Sequence, residues 1–244
     1  MVKLNCWCGA EKHYEIGVKD DRLVVECAVC QTWYVKEIPN DYIGMYSRGE
    51  YATIEQTRIG YTPYPDRYEH DLGVAQARLS ELHDYRTFGA GRKLIDVGCG
   101  NGAFVHTARA GNWEAYGIDL DFHVNEIHWC YQRDIEHLPP LDIMYGAKVI
   151  TMYDVIEHLL KPVDTLTKLR DCLIPQGLLV IVAPDFSSGD AYNQGLDWKH
   201  VRPVQHIYMI KPQIMIGILK GLGFYNIDRR RPIPNQYAIY ARRG

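Results

Sequence analysis

The 244-residue sequence predicts an α/β fold, a Rossmann-like seven-stranded sheet preceded by a small β module. Three observations carry this expectation. From Lys93 onward, short apolar runs alternate with segments of helical periodicity, the pattern of a parallel sheet. The first of those runs, Leu94, Ile95 and Val97, breaks directly into Gly98, Gly100 and Gly102, so a buried strand must end in a tight turn that opens a helix. Two close cysteine pairs, Cys6 with Cys8 and Cys27 with Cys30, occupy a compositionally separate stretch at residues 1–38.

In that stretch, alternating segments near Tyr14 to Val18, Leu23 to Val25 and Trp33 to Val35 read as short strands. Hairpins between them would bring the pairs together as a zinc ribbon. Four thiolates complete a tetrahedral shell and leave no open position, so such a zinc is structural. A module this small has too little core of its own to fold without one. The second pair has the usual C-x2-C spacing and the first is C-x-C, a departure that leaves ordinary reduced thiols in a small sheet as the alternative.

Residues 39–90 read as a linker, a lid and a helix. Tyr42, Tyr46, Tyr51, Tyr61 and Tyr64 are irregularly spaced, and Pro63 and Pro65 interrupt helix. Tyrosines suit a flap over an active site and equally suit packing against the main domain. From Asp66 to Tyr85, the apolar positions Leu72, Ala75, Leu79, Leu82 and Tyr85 recur at three or four, with Asp66 as the expected cap and Gly89 to Gly91 as the end of the unit.

Residues 91–244 hold the sheet. Strands are expected near Ile95, Gly117, Tyr131, Val149, Val180, Ile227 and Ile239, and helices at Ala103 to Ala110, Val163 to Cys172 and Pro212 to Leu222. Only eight residues separate Asp119 from His128, so the helix expected in that connection is shortened or missing. Gly98, Gly100 and Ala103 fit the loose dinucleotide fingerprint, and Asp96 discriminates between cofactors. A carboxylate at the strand's end would repel a pyrophosphate and attract the ammonium and sulfonium of S-adenosylmethionine. Asp119, ending the next strand, suits a ribose diol in either case.

Four segments in order, Leu94 to Gly102, Gly117 to Leu120, Asp134 to Glu136 and Met152 to Leu159, resemble the class I S-adenosylmethionine-dependent methyltransferases over roughly residues 60 to 244. The nearest resemblance is to the small-molecule branch with the ubiquinone-type O-methyltransferases. The resemblance implies that Asp96, Gly98, Cys99, Gly100, Asn101 and Gly102 surround the methionine end of the cofactor. It implies Asp119 and Leu120 at the ribose, Asp134 and Ile135 beside the adenine, and Met152, Tyr153 and Asp154 under the reacting centre. Arg78, on the helix before the first strand, would pair with the methionine carboxylate; an arginine exposed to solvent is the alternative. Some members of that branch hold a divalent cation where Asp154, Glu157 and His158 fall; bracing of the loop by Glu157 and His158 is the preferred reading.

In an open α/β sheet, ligands lie over the carboxyl ends of the strands. The long connection from Pro184 to His206 therefore faces the acceptor, and it carries Asp190, Tyr192, Trp198, His200, Arg202 and His206. Methyl transfer is an in-line displacement that needs alignment and, for a hydroxyl or acidic carbon, a base. Histidine titrates near neutrality, which makes His200 and His206 the first candidates and His158 the second; a structural role is the alternative, for His206 that of organising the helix that follows.

Composition narrows the partners. A net charge of −3 gives no general attraction to nucleic acid or to an anionic membrane, and the densest basic cluster is Arg229 to Arg231 with Arg242 and Arg243. The longest apolar run, Leu178 to Ala183, is too short to span a bilayer, and no signal-type stretch opens the chain. A cytoplasmic protein with reduced cysteines is expected. The expected function is methyl transfer from S-adenosylmethionine to a small polar acceptor, a sugar or hydroxylated metabolite, with a structural zinc. The alternatives are an RNA or DNA methyltransferase that uses the ribbon for recognition, and a non-catalytic S-adenosylmethionine-binding module.

Overall fold

A computed structural model describes residues 1–48, 64–82, 91–230 and 233–244. Tyr51, Tyr61, Pro63, Tyr85, Gly89 and Arg231, named above, lie outside the described residues.

The main sheet comprises β6 (Lys93–Val97), β7 (Glu114–Asp119), β8 (Cys130–Gln132), β9 (Ala147–Tyr153), β10 (Leu173–Pro184), β12 (Phe224–Arg230) and β13 (Gln236–Arg243). Their order is β12-β13-β10-β9-β6-β7-β8. The five strands from β10 to β8 run parallel, while β13 is antiparallel to both β10 and β12. This is the Rossmann-like seven-stranded sheet that the sequence predicts. Successive side chains point to opposite faces, so each apolar strand feeds two cores. Ile95, Val97, Ile150, Met152, Leu179 and Ile181 enter one; Leu94, Val149, Tyr153, Leu178, Val180 and Val182 enter the other.

The second core is covered by α2 (Tyr64–Glu81), through Ala75, and by α3 (Ala103–Ala110), through Phe104, Val105 and Ala108. The first is covered by α4 (Pro162–Cys172) and α6 (Pro212–Gly221), through Leu166, Leu169, Met215 and Leu219. Both α4 and α6 start on a proline, where a missing N–H costs nothing. The expected cap at Asp66 is corrected: α2 begins at Tyr64, so Pro65 sits in the first turn and Asp66 lies inside the helix. Between Asp119 and His128 there is a single 3-10 turn, Phe122–Glu126, capped by the Asp121 carboxylate accepting from the His123 N–H.

The cysteine stretch forms β1 (Val2–Lys3), β2 (His13–Lys19), β3 (Arg22–Cys27), β4 (Trp33–Val35) and β5 (Glu37–Ile38). Its sheet does not close on itself. A fourth strand, β11 (Tyr208–Met209), arrives from the far end of the chain and pairs with β4, giving the order β11-β4-β3-β2. Val24, Val25, Tyr34 and Val35 accordingly share one buried cluster with Ile207, Tyr208 and Met209. The chain then enters α1 (Tyr42–Ser47), which packs Tyr42 into the same cluster. No helix among the described residues is long and apolar enough to cross a membrane.

Candidate active site

A cavity of about 450 Å³ opens over the carboxyl ends of β6, β7, β9 and β10. One end is shaped by the glycine turn. The Gly98 N–H donates to the Ile118 carbonyl at 2.7 Å, and the Gly100 N–H donates to Asp119 Oδ2 at 2.8 Å, so the turn and the second acid are bonded together. The other Asp119 oxygen accepts from the Asp121 N–H at 3.0 Å. Asp96 sits beneath the turn, 4% exposed, and accepts from the Thr151 hydroxyl at 2.7 Å because Asp96 and Thr151 are register partners on β6 and β9. Burial pushes its carboxyl up to about 7, against the pull of Thr151 and Arg78.

Arg78 reaches this end from α2. Its guanidinium stacks on the Tyr153 ring at 3.9 Å and lies 3.8 Å from Asp154 Oδ2. Asp154 itself holds a left-handed backbone at φ 55 and accepts from Gln236 Nε2 at 2.8 Å. Asn101 is tied to Asp71, its Nδ2 donating at 2.8 Å, and its Oδ1 accepts from the Ala103 N–H. Cys99, Leu120, Asp134 and Ile135 also line the cavity, and Asp134 Oδ1 accepts from the N–H groups of Glu136 and His137.

Two expected cofactor positions are not on the cavity. Met152 is fully buried and points into the sheet's core, because it alternates with Tyr153, which does line the cavity. Gly102 faces Ile127 and Cys130; its φ of 72 starts α3, and a side chain there would strike the Ile127 methyl.

The other end gathers His158, His200 and His206 around Glu157 and Arg202. The His158 and His206 rings lie 4.9 Å apart, near perpendicular. His206 Nδ1 is 2.7 Å from the His200 carbonyl, and His158 Nδ1 is 3.0 Å from the Gln205 carbonyl. A carbonyl only accepts, so both rings carry their proton on Nδ1 and keep a lone pair on Nε2. Burial pushes His158 down to about 4 and His206 well below its ordinary value. His200 is likewise lowered to about 4, by burial and then by Lys199 and Arg202. All three are therefore neutral imidazoles at neutral pH, and the expectation that they titrate near neutrality is corrected: burial makes each a weaker base than a free histidine.

Glu157 is 2% exposed, and neither carboxylate oxygen has a hydrogen-bond partner among the described residues. Burial, and then the charge of Asp154, raises its pKa well above the usual carboxylate range. Glu157, His158 and His206 each offer a ligand atom within 4.8 Å of the others, so this trio could hold a metal ion. Asp154, placed in such a set by the resemblance, belongs instead with Gln236 and Arg78.

The rest of the long connection, which includes the short helix α5 (Gly189–Gln194), is placed elsewhere. Trp198 is buried between Phe186 and His200, at 4.9 and 4.7 Å between ring centres. Asp190 accepts from Asn235 at 2.7 Å, and Tyr192 is 88% exposed; neither lines the cavity. Tyr42 and Tyr46, read from sequence as part of a lid or as packing against the main domain, both line the cavity, and their spacing of four puts them on one helix face. Sequence reasoning missed Gln236, for which the sequence carries no signal.

Away from the cavity, Cys6 Sγ lies 3.4 Å from Cys30 Sγ and Cys8 Sγ lies 3.6 Å from Cys27 Sγ, with all four sulfurs within 4.8 Å of one another. Zinc–sulfur bonds of about 2.3 Å in a tetrahedron require sulfurs about 3.8 Å apart, so the four thiols fit a zinc ion.

Residues 68–229 match a family model described as a methyltransferase domain. Over 105 residues the chain is 32% identical to a tRNA U34 carboxymethyltransferase of Stutzerimonas stutzeri, a match covering 38% of this chain. The chain spans about a third of the length of the curated relatives it matches. Among solved structures it resembles an S-adenosylmethionine-dependent methyltransferase from Archaeoglobus fulgidus, with a TM-score of 0.57 at 18% identity over 79% of this chain and 99% of that one. It also resembles a magnesium protoporphyrin IX methyltransferase from Synechocystis with bound S-adenosylhomocysteine, with a TM-score of 0.57 at 14% identity over 82% and 96%. At these identities the likeness is one of fold.

Proposed function

We propose that this chain, which belongs to the methyltransferase-domain family and is an S-adenosylmethionine-dependent methyltransferase, acts on a nucleotide of RNA. The observation that carries the RNA acceptor is the likeness to tRNA U34 carboxymethyltransferases. It favours the nucleic-acid alternative over the sugar or hydroxylated metabolite expected from the resemblance. The small polar acceptor stays as the second reading, favoured by one feature: Tyr42 and Tyr46 close the side of the acceptor end with packed side chains.

Bound S-adenosylmethionine supplies a methyl group on a sulfonium, already electrophilic. The residues have to hold it, align the acceptor and take a proton. In this reading Asp96 faces the ammonium, Arg78 the methionine carboxylate, Asp119 the ribose, and Asp134 with Ile135 the adenine. Arg78→Met should lower affinity for S-adenosylhomocysteine on the order of tenfold or more, measured by calorimetry, because a charge-assisted hydrogen bond is lost. At the acceptor end, Nε2 of His206 or His158 takes the acceptor's proton, with His200 beside them. His200→Ala and His206→Ala should keep cofactor affinity while at least one loses transfer by roughly 10²-fold; two fully active variants would remove the base from this loop. Zinc on Cys6, Cys8, Cys27 and Cys30 belongs to the same proposal as a structural ion.

The test of the acceptor is transfer of labelled methyl from S-adenosylmethionine into a host lysate separated into RNA, DNA, protein and small-molecule fractions. Label in RNA is the expected result. Label confined to small molecules would reinstate the second reading.

A further inference from the structure

The cysteine module and the acceptor end share backbone. β11 begins two residues after His206, and it is the edge strand of the module's sheet, pairing Tyr208 with Tyr34 and Met209 with Trp33. Ile207, between them, is bonded on both sides: its carbonyl accepts from the Val35 N–H at 3.0 Å, and its own N–H donates to the Glu157 carbonyl at 2.7 Å. The buried Tyr208 hydroxyl donates to the Asn5 carbonyl at 2.8 Å, one residue before Cys6. Four consecutive residues thus run from a cavity histidine to the strand beside the four thiols.

A second connection passes through α1. The Tyr42 hydroxyl, buried, lies 2.8 Å from the Gln205 carbonyl and 3.1 Å from that of His158. The Tyr46 hydroxyl lies 3.1 Å from His158 Nδ1, and its ring meets the imidazole edge-on at 5.9 Å. Neither connecting element is stable alone. A two-residue strand and a six-residue helix take their order from what they are attached to. A metal on the four cysteines would add order to this small module beyond the apolar cluster it shares with the main domain.

We infer that the cysteine module braces the acceptor site from behind its lining, with Tyr46 and Tyr208 as positioning residues: Tyr46 sets the His158 ring, and Tyr208 ties the module to the His206 segment. The inference rests on the reading of the acceptor end given above. Its consequence is that metal at the four thiols controls acceptor geometry and leaves the cofactor end alone, since the glycine turn and Asp119 make their bonds within β6, β7 and α3.

The test uses the full, zinc-loaded chain and needs no acceptor. Amide exchange is followed by mass spectrometry before and after a chelator removes the zinc, with S-adenosylhomocysteine affinity measured alongside. Peptides covering residues 157–160 and 204–210 should exchange on the order of tenfold faster once the module opens, while peptides covering 93–120 and the affinity stay within about twofold. Unchanged protection at 204–210 after the module's own peptides have opened would overturn the inference. So would loss of cofactor binding in step with zinc, because the module would then support the whole domain. Tyr46→Phe keeps the ring and removes only the hydroxyl; it should move the ¹⁵N imidazole resonances of His158 at constant cofactor affinity, and an unmoved spectrum would deny Tyr46 its role. A mistaken RNA acceptor would leave every one of these readouts intact.

Discussion

Asp96→Asn is expected to cost the enzyme its cofactor while making the empty protein more stable. The carboxyl is buried at 4% exposure, its ordinary value is 3.8, and burial raises it to about 7. A raised value means that the folded state holds a proton the unfolded chain has released. The stability this contributes is fully present below pH 3.8 and is lost as pH rises to about 7, above which the full cost of a buried anion remains. Asparagine carries no such cost, and its Oδ1 can still accept from the Thr151 hydroxyl. The variant should therefore gain about 2 to 4 kcal/mol over the wild type at pH 8 and little at pH 4, read from denaturant unfolding at both. Cofactor binding runs the other way. The ammonium group of the ligand favours the ionised carboxylate, so wild-type affinity for S-adenosylhomocysteine should fall up to tenfold per pH unit below about 7, and the variant should be weak with this dependence gone. A pH-independent wild type would show that Asp96 does not meet the charged end of the ligand.

Parts of this site were legible in the sequence for local reasons. The strand at Leu94 to Val97 and the glycines after it read correctly because strand alternation and turn chemistry are properties of a few adjacent residues. The same holds for the cysteine pairs, where close spacing sets the members of each pair together and the β2–β3 hairpin between the pairs brings all four sulfurs to one place. What escaped is long-range. A two-residue strand such as β11 has no periodicity to detect, and its pairing with β4 joins residues about 175 positions apart. The neighbours Glu157 and His206 likewise meet only because Ile207 is bonded to the Glu157 carbonyl. Met152 was open to correction from sequence: neighbours on one strand point to opposite faces, so only one of Met152 and Tyr153 can line the cavity. The register that sets Thr151 against Asp96 was not, since nothing in either strand says which residues pair.

Gly98→Ala should produce the second large effect, because two independent obstacles meet at one atom. The residue holds φ +75, a conformation that costs an L side chain about 1–2 kcal/mol. A Cβ there would also overlap the Val155 side chain, on the segment between Asp154 and Glu157. Val155 is β-branched and stiff at χ1, so the strain passes to backbone on one side or the other. If the turn moves, the Gly100 N–H leaves Asp119; if the loop moves, Asp154 leaves Gln236. Either displacement reaches the cavity, and a loss of about 2–4 kcal/mol in stability with a fall of roughly 10²-fold in S-adenosylhomocysteine affinity is expected. Gly146→Ala separates the two obstacles. Its φ is +76, the same within a degree, but a Cβ there meets nothing within 4 Å. It should show the backbone cost alone and leave the cofactor bound. Val155→Ala in the Gly98→Ala background removes the overlapped methyl groups and should recover part of the lost affinity. Equal losses at Gly98 and Gly146, with no rescue, would reduce Gly98 to a backbone requirement and remove the contact between the turn and the Val155 segment from the account of how the cofactor end is held.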